Sequence, residues 1–210
     1  DVFHVSAFGC VIQNIGFNSS ISRTGGSYMV LSGANIYIFN CQFFGYYFGI
    51  SIPSVFATID IVNCQWGSGV SGFGVGIDIT GAMADLSIRD CVMNSGSPTT
   101  QPFACVRIFN CLDIEISNCE FIQHIQDMII CPGATQQVDS LYCIMCFFDT
   151  SAGNGLLIQP TAAGSFVLRS TFIGCWFSTH VNDGVLIANP AGATVDGIDF
   201  IDCQMFDNIR

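Results

Sequence analysis

The chain contains no lysine, and charged residues make up only 10% of its 210 residues. Five arginines stand against sixteen aspartates and glutamates, for a net charge of −11. A nucleic-acid-binding surface needs a basic face to neutralise phosphates, so this composition argues against a nucleic-acid partner. No apolar run approaches the roughly 18–20 residues of a membrane-spanning helix, and no membrane insertion is predicted. Half of the residues are nevertheless hydrophobic, so they must be buried in a core or between subunits.

Twelve cysteines are spread along the chain, and they could be disulfides, metal ligands, nucleophiles or buried core residues. Their spacing reveals a repeat built on the motif Asn-Cys-Gln-Phe at 40–43. The equivalent anchor residues are Ile15, Cys41, Cys64, Cys91, Cys119, Cys146, Cys175 and Cys203. Seven intervals span the 188 positions between the first and last anchor, so the period is about 27 residues. Self-similarity at this period predicts a solenoid.

Two strand signals recur in each repeat. Apolar residues stand five and three positions before the anchor, as in Ile36 and Ile38, and this alternation is typical of a strand. A second strand is predicted ten to fifteen residues after most anchors, in GISI (49–52), GIDI (76–79), CVRI (105–108), GLLI (155–158) and GVLI (184–187). Proline often follows it and closes the strand. We therefore expect two or three short strands per turn of a parallel coil.

The residue just before the anchor is Asn or Asp in six repeats. Both residue types tolerate the left-handed conformation of a tight bend, and asparagine amides can bond along a stacked ladder. Cysteine is small and apolar, so a column of reduced cysteines would pack well in the core. This interpretation is favoured over disulfide, metal-binding or catalytic roles, and no metal site and no cofactor are predicted.

The motif apolar-x-apolar-x-Asn/Asp-Cys-x-aromatic/Met resembles that of the right-handed parallel β-helix family, which includes pectate lyases, polygalacturonases and, above all, bacteriophage tailspikes. The resemblance covers the whole chain as about eight rungs. It implies an all-β, right-handed, single-stranded parallel β-helix, and the general preference for right-handed parallel crossovers agrees with it. Polygalacturonase motifs, including Gly-His-Gly and Arg-x-Lys, are absent.

The chain is expected to be a single β-helix domain, 1–210, from a longer protein, because it starts and stops inside a repeat and an open terminal rung is prone to aggregate. Several positions predicted to point outward are apolar: Phe39, Val62, Ile144, Phe147, Ile173, Trp176 and Ile201. Such a stripe implies a partner surface. The tailspike resemblance implies a homotrimer, and the alternative is a cover formed by segments outside this chain.

Candidate catalytic groups must lie on the outer face. Asp60 and Glu115 are predicted to share an outward column two rungs apart, with Ser87 between them and Glu120 just beyond the bend. Glycoside hydrolysis needs two carboxylates about 5–10 Å apart, so Asp60, Glu115 and Glu120 are the catalytic candidates, with Asp127 close by. Solvated acids that keep the coil soluble are the alternative.

Candidate substrate-binding residues are Tyr37, Tyr142, Trp176, Asp78, Arg107 and Asp127. Asp78 and Arg107 occupy equivalent positions of neighbouring repeats, and an exposed stacked salt bridge explains them as well. His124 is interpreted as an incidental loop residue. Insertions at 67–75 and 94–104 are expected to rim a groove beside Asp60, Ser87 and Asp78.

Three functions remain open at this point. The first is a trimeric phage tailspike domain that binds and depolymerises a bacterial surface polysaccharide, either capsule or O-antigen, as a hydrolase or a lyase. Such a protein is made in the host cytoplasm and carried on the virion. The second is a β-helix shaft or receptor-binding module without turnover. The third is a secreted polysaccharide lyase.

Overall fold

The computed structural model describes residues 2–19, 24–53, 58–81, 85–97 and 99–208. These residues form strands, turns and loops with no helix, and therefore none that could cross a membrane. Each repeat is one coil with three strands. The strands of coils one to four are β1 (Phe3–Val5), β2 (Val11–Gln13), β3 (Gly16–Asn18), β4 (Ser27–Leu31), β5 (Ile36–Phe39), β6 (Gln42–Phe44), β7 (Phe48–Ile52), β8 (Ile59–Val62), β9 (Gln65–Trp66), β10 (Val75–Ile79), β11 (Leu86–Arg89) and β12 (Val92–Asn94). Those of coils five to eight are β13 (Ala104–Ile108), β14 (Cys111–Ser117), β15 (Glu120–Ile122), β16 (Gln126–Ile130), β17 (Gln137–Ile144), β18 (Phe147–Asp149), β19 (Leu156–Ile158), β20 (Phe166–Ile173), β21 (Trp176–Ser178), β22 (Val185–Ile187), β23 (Thr194–Ile201) and β24 (Gln204–Phe206).

Equivalent strands of successive coils stack in parallel and make three sheets of eight strands each. Sheet 1 contains the first strand of every coil, sheet 2 the second and sheet 3 the third. The chain therefore makes about seven full turns of a parallel β-solenoid, which confirms the all-β fold and the repeat length. The five GISI-like segments lie in sheet 1, and the strands that precede the anchors lie in sheet 2.

The interior is a set of side-chain columns, as the repeat predicted. Two positions after the anchor, aromatic rings stack from coil to coil: Phe43 lies 5.2 Å from Phe17 and 4.9 Å from Trp66, measured between ring centroids. Apolar residues five and three positions before the anchor, such as Ile36 and Ile38, are buried beside them. Because the layers repeat, each coil buries its apolar face against both neighbours.

The predicted bend before the anchor is confirmed in every coil. Its residues have φ between 52° and 61°, and they are Asn14, Asn40, Asn63, Asp90, Asn118, Met145, Gly174 and Asp202. The Asn63 amide donates to the Asn40 side-chain oxygen at 2.7 Å, and Asn40 donates to Asn14 at 3.3 Å. The amide ladder therefore supports a backbone conformation that most side chains avoid.

The cysteine column is structural. All twelve cysteines are free, and the anchors from Cys41 to Cys175 are buried. Their thiols contact backbone carbonyls; Cys91 Sγ, for example, lies 3.2 Å from the Arg89 oxygen. Cys111 and Cys131 lie outside the anchor column. Burial raises the pKa of each to about 12, so these two thiols stay protonated at neutral pH. In the first coil, by contrast, Ile15 was expected to point inward but is exposed.

Candidate functional site

The outward-facing column of sheet 2 contains the residues that the repeat alignment predicted for it. Tyr37 is paired with Asp60, Asp60 with Ser87, Ser87 with Glu115, and Glu115 with Tyr142. Since neighbouring strands lie about 4.8 Å apart, Asp60 and Glu115 stand about 10 Å apart along the coil axis. The column therefore presents two carboxylates and two tyrosines on one face.

A shallow cleft of about 310 Å³ lies beside part of this column. It is lined by Thr58, Asp85, Leu86, Ser87, Asp113, Ile114, Glu115 and Tyr142. Asp60 and Tyr37 are not among its lining residues. Three carboxylates and an exposed tyrosine in one concavity give hydrogen-bond acceptors beside a flat apolar ring.

Sequence reasoning missed Asp85 and Asp113. They lie six positions before their anchors, where φ is 59° and 54°, in a second bend that immediately precedes β11 at Asp85 and lies within β14 at Asp113. The signal was present in the sequence, because Asn35 and Gly197 occupy the same repeat position and also have positive φ. This bend directs both aspartates toward the edge of the outer face of sheet 2.

Two of the three predicted catalytic carboxylates, Asp60 and Glu115, have partners within the protein. The Arg89 guanidinium lies 3.5 Å from Asp60, across one coil. The Ser117 hydroxyl donates to Glu115 at 3.1 Å, along the same strand. Glu115 stays exposed, whereas Asp60 is half-buried. Glu115 is therefore the more accessible acid of the two.

Glu120 does not join this group. It opens β15 in sheet 3, on the other side of the Asn118 bend, and its column continues through Phe147 and Trp176. The expected cluster of Glu115 with Glu120 is wrong because the bend turns their strands onto different faces.

An exposed apolar surface lies at the corner between sheets 2 and 3 in the next two coils. The exposed fraction is 48% for Tyr142, 54% for Met145, 45% for Phe147 and 38% for Trp176. The Phe147 and Trp176 ring centroids lie 5.9 Å apart. Of the other predicted outward apolar residues, Ile201 is exposed, and Phe39, Val62, Ile144 and Ile173 are half-buried. We call Tyr142, Met145, Phe147 and Trp176 the corner patch.

Asp78 and Arg107 pair as predicted, but the pair is not exposed. Arg107 Nε donates to the Asp78 carboxylate at 2.7 Å, and Asp78 is buried. The guanidinium also lies over the rings of Phe48 and Phe109, at 5.7 and 4.9 Å from their centroids. These aromatic side chains pack against a small buried cluster formed by Val75, Ala104, Ile129 and Cys131.

The two insertions do not rim the cleft. They connect sheet 3 to sheet 1, between β9 and β10 and between β12 and β13, whereas the cleft lies beside the bend from sheet 1 to sheet 2. Which of the three corners a loop leaves cannot be predicted from its length alone. Pro98, within the second insertion, is outside the described residues.

The structure places Asp127 and His124 inside the coil, so the outward position predicted for Asp127 is wrong, whereas His124 lies in a connection between strands as predicted. Both side chains are completely buried, and so is Cys105. His124 Nδ1 lies 3.0 Å from Cys105 Sγ, and Nε2 lies 3.0 Å from the Tyr46 hydroxyl. The donor atoms of Cys105, His124 and Asp127 all lie within 4.8 Å of one another. We call these three residues the interior triad.

Burial dominates the electrostatics of the interior triad. It lowers the pKa of His124 to about 4 and raises the pKa values of Cys105 and Asp127 above their ordinary values. Neither carboxylate oxygen of Asp127 accepts a hydrogen bond from the described residues. His180 Nδ1 lies 3.7 Å from Asp127 Oδ2, but burial lowers the pKa of His180 to about 4, so this imidazole is neutral at pH 7. An unsatisfied buried polar group costs about 1–3 kcal/mol, and more when it is charged.

Comparisons with known proteins add little to this geometry. No family model matches the chain, and no curated protein matches it. Among solved structures, the chain is similar to a trypsin-treated form of QnrB1, a plasmid-mediated fluoroquinolone resistance protein. The identity is 13% over 93% of this chain and 91% of that chain, with a TM-score of 0.22. A likeness this weak carries no argument about fold or function.

Proposed function

We propose that this chain is a β-helix domain of the bacteriophage tailspike type, which binds a bacterial surface polysaccharide along sheet 2 and cleaves it. The observation that carries the proposal is the cleft, in which Asp85, Asp113 and Glu115 stand beside Tyr142. Carboxylates accept hydrogen bonds from sugar hydroxyls, while a tyrosine ring offers an apolar face and a polar tip. A neutral or cationic glycan fits this acidic surface better than a polyanionic one.

In this proposal Glu115 is the general acid, because it is the exposed carboxylate that belongs to both the cleft and the column. Asp60, two coils away at about 10 Å, is the base that activates water. That separation is close to the roughly 6.5–9.5 Å of enzymes that hydrolyse with inversion of configuration. Asp85 lies on the coil between them and can hold a sugar hydroxyl.

The test is release of oligosaccharides from capsule or lipopolysaccharide of candidate host bacteria. Loss of an acid or base typically lowers the rate by about 10²–10⁴-fold, so we expect this loss for Glu115→Gln and for Asp60→Asn. Asp199→Asn is the matched control, because Asp199 lies three strands from Glu115 in the same outward column, outside the cleft. Full turnover in both Glu115→Gln and Asp60→Asn would overturn the catalytic assignment.

A second candidate is a receptor-binding module without turnover. The partners of both carboxylates favour it, since Arg89 lies beside Asp60 and Ser117 donates to Glu115. In that case the wild type binds the glycan and releases no product. Tyr142→Ala should then weaken binding by about 2–10-fold. Phe73→Ala, which removes an exposed ring from the loop between β9 and β10, should leave binding unchanged.

Met145, Phe147 and Trp176 of the corner patch are the proposed contact in a homotrimer carried on the virion, and Tyr142 is left to the cleft. Large exposed aromatic side chains that adjoin one another are typical of interface cores. Analytical ultracentrifugation should show a trimer for the wild type and dissociation for Trp176→Glu. Phe73→Glu is the control, because Phe73 is also exposed but lies in the loop between β9 and β10. A wild-type monomer at micromolar concentration would exclude this assembly.

A further inference from the structure

The interior triad breaks a regular feature of sheet 1. One register position of sheet 1 is the second residue of β7 and β10 and immediately precedes β19 and β22. Four coils carry a glycine there: Gly49, Gly76, Gly155 and Gly184. At Gly155 an added Cβ would lie 2.5 Å from His180 Nε2, and at Gly49 it would lie 2.5 Å from Trp66 Nε1. The same position holds Cys105 in coil five and Asp127 in coil six. Two adjacent coils thus place chemically reactive side chains where their neighbours leave no room.

His124 completes the set from the connection between sheets 3 and 1. It lies five positions after its anchor, where the two preceding coils carry Gly69 and Gly96. Across those glycines the Tyr46 side chain reaches from coil two to the imidazole. The polar groups therefore converge on one point from three separate segments of the chain.

We propose that Cys105, His124 and Asp127 bind one divalent transition-metal ion of the zinc type inside the coil. Thiolate, imidazole and carboxylate are ligands that zinc accepts. Tetrahedral bonds of 2.0–2.3 Å place ligand atoms about 3.3–3.8 Å apart, and the three donor atoms already lie within 4.8 Å of one another. A dication bound by one thiolate and one carboxylate leaves no net charge in the core.

The surrounding groups suit this role. Ligation through His124 Nδ1 leaves the proton on Nε2, which then donates to the Tyr46 hydroxyl. The Ile122 carbonyl also lies 3.0 Å from Nδ1, so without metal it accepts a hydrogen bond from Nδ1–H in the other tautomer. The ion would give the Asp127 carboxylate a partner that the described protein groups do not supply. His180 Nδ1 lies 3.7 Å from Asp127 Oδ2 but accepts a hydrogen bond from the Ser151 backbone N–H, so it does not satisfy the carboxylate.

Complete burial makes this a structural ion rather than a catalytic one, because substrate has no access to it. It also means that the ion binds while the coils close, so loading during folding should be more efficient than loading afterwards. An ion that binds only the folded chain stabilises it. The rival explanation is a metal-free hydrogen-bond network with Asp127 protonated.

The experiment is to refold the full chain from urea under reducing conditions with Zn²⁺, with Co²⁺, or with neither, and to measure metal per chain after desalting. We expect one ion per chain, thiolate-to-cobalt charge-transfer absorption, and a midpoint of thermal unfolding raised by about 5–10 °C when Zn²⁺ is in roughly hundredfold excess over its Kd. Metal added to the folded chain is measured in parallel.

Asp127→Asn is the decisive variant, because it keeps the shape of the side chain and removes a buried acid. It should fold without metal at least as stably as the wild type and lose both the bound ion and the thermal shift. Cys105→Ser and His124→Gln should lose the cobalt absorption. Cys119→Ser is the matched control from the buried anchor column and should keep it. A wild type that retains no metal by either route, or an Asp127→Asn variant that retains it, overturns the proposal.

Discussion

Phe147 and Phe148 are neighbours in β18, yet their side chains lie on opposite sides of the coil wall. Phe148 is completely buried, and its ring centroid lies 5.1 Å from that of Phe121 and 4.6 Å from that of Phe177. Truncation of a buried phenylalanine to alanine typically costs about 3–5 kcal/mol, since both the transfer energy and the ring contacts are lost. Truncation of Phe147, a residue that is 45% exposed, should lower the free energy of unfolding by less than about 1 kcal/mol.

The assay is urea unfolding of Phe148→Ala and Phe147→Ala, monitored by far-ultraviolet circular dichroism. Free energies of unfolding are extrapolated to water with the same dependence on urea concentration for both variants. In a thermal scan Phe148→Ala should lower the midpoint by about 6–20 °C. Each protein is measured at two concentrations, because association through Phe147 would make its stability depend on concentration. Equal losses, or a larger loss for Phe147→Ala, would mean that β18 is shifted by one residue and would refute the assigned faces.

Three further predictions concern the bends, an ion pair and the glycines. Asn63→Ala should lower the free energy of unfolding by about 1–2 kcal/mol, because alanine strains at φ 52° and loses the amide ladder, and Asn63→Gly should cost less in the same thermal scan. Hydrogen bonds from Arg169 lower the pKa of Asp139, so this pair stabilises the fold above the ordinary carboxyl pKa of about 3.9 and loses that contribution as the pH falls below it. As the pH is lowered, the urea midpoint of Asp139→Asn should therefore fall less steeply than that of the wild type. Identical acid profiles for the two proteins would contradict this. Gly49→Ala should cost about 1–3 kcal/mol by urea unfolding, because the new Cβ would lie 2.5 Å from a neighbouring carbonyl, whereas Gly16→Ala, which meets nothing within 4 Å, should be neutral.

The fold could be predicted because local and global signals agree. A small apolar anchor and a left-handed bend recur at one repeat position, so each coil specifies the same turn. The outward column of sheet 2 followed directly, since parallel stacking in constant register superimposes equivalent positions such as Asp60, Ser87 and Glu115. Within sheet 2 the distance from the anchor placed the buried residues correctly, as for Ile36, Ile38 and Ile116.

The interior triad could not be predicted by that rule. Alternation fails at the corner between sheets 3 and 1, where the adjacent residues Cys105 and Val106 both face the main core. Asp127, which stacks on Cys105, was therefore expected outside and lies inside. The available signal was the loss of glycine at one position in two consecutive coils. Proximity of His124 to Cys105 depends on how the corner closes, which repeat spacing does not encode.

Stacking of the coils has a consequence for how the surface of this protein can change. Because every coil adds one strand to each sheet, groups on one face are separated by whole multiples of about 4.8 Å. Removal of residues 64–90, one complete coil from anchor to bend, would join Asn63 to Cys91 and bring Asp60 and Glu115 onto adjacent strands. The distance between two carboxylates in one column therefore depends on the number of coils that separate them. Gain or loss of a coil alters that spacing in one step, while point substitutions alter only which side chains occupy it.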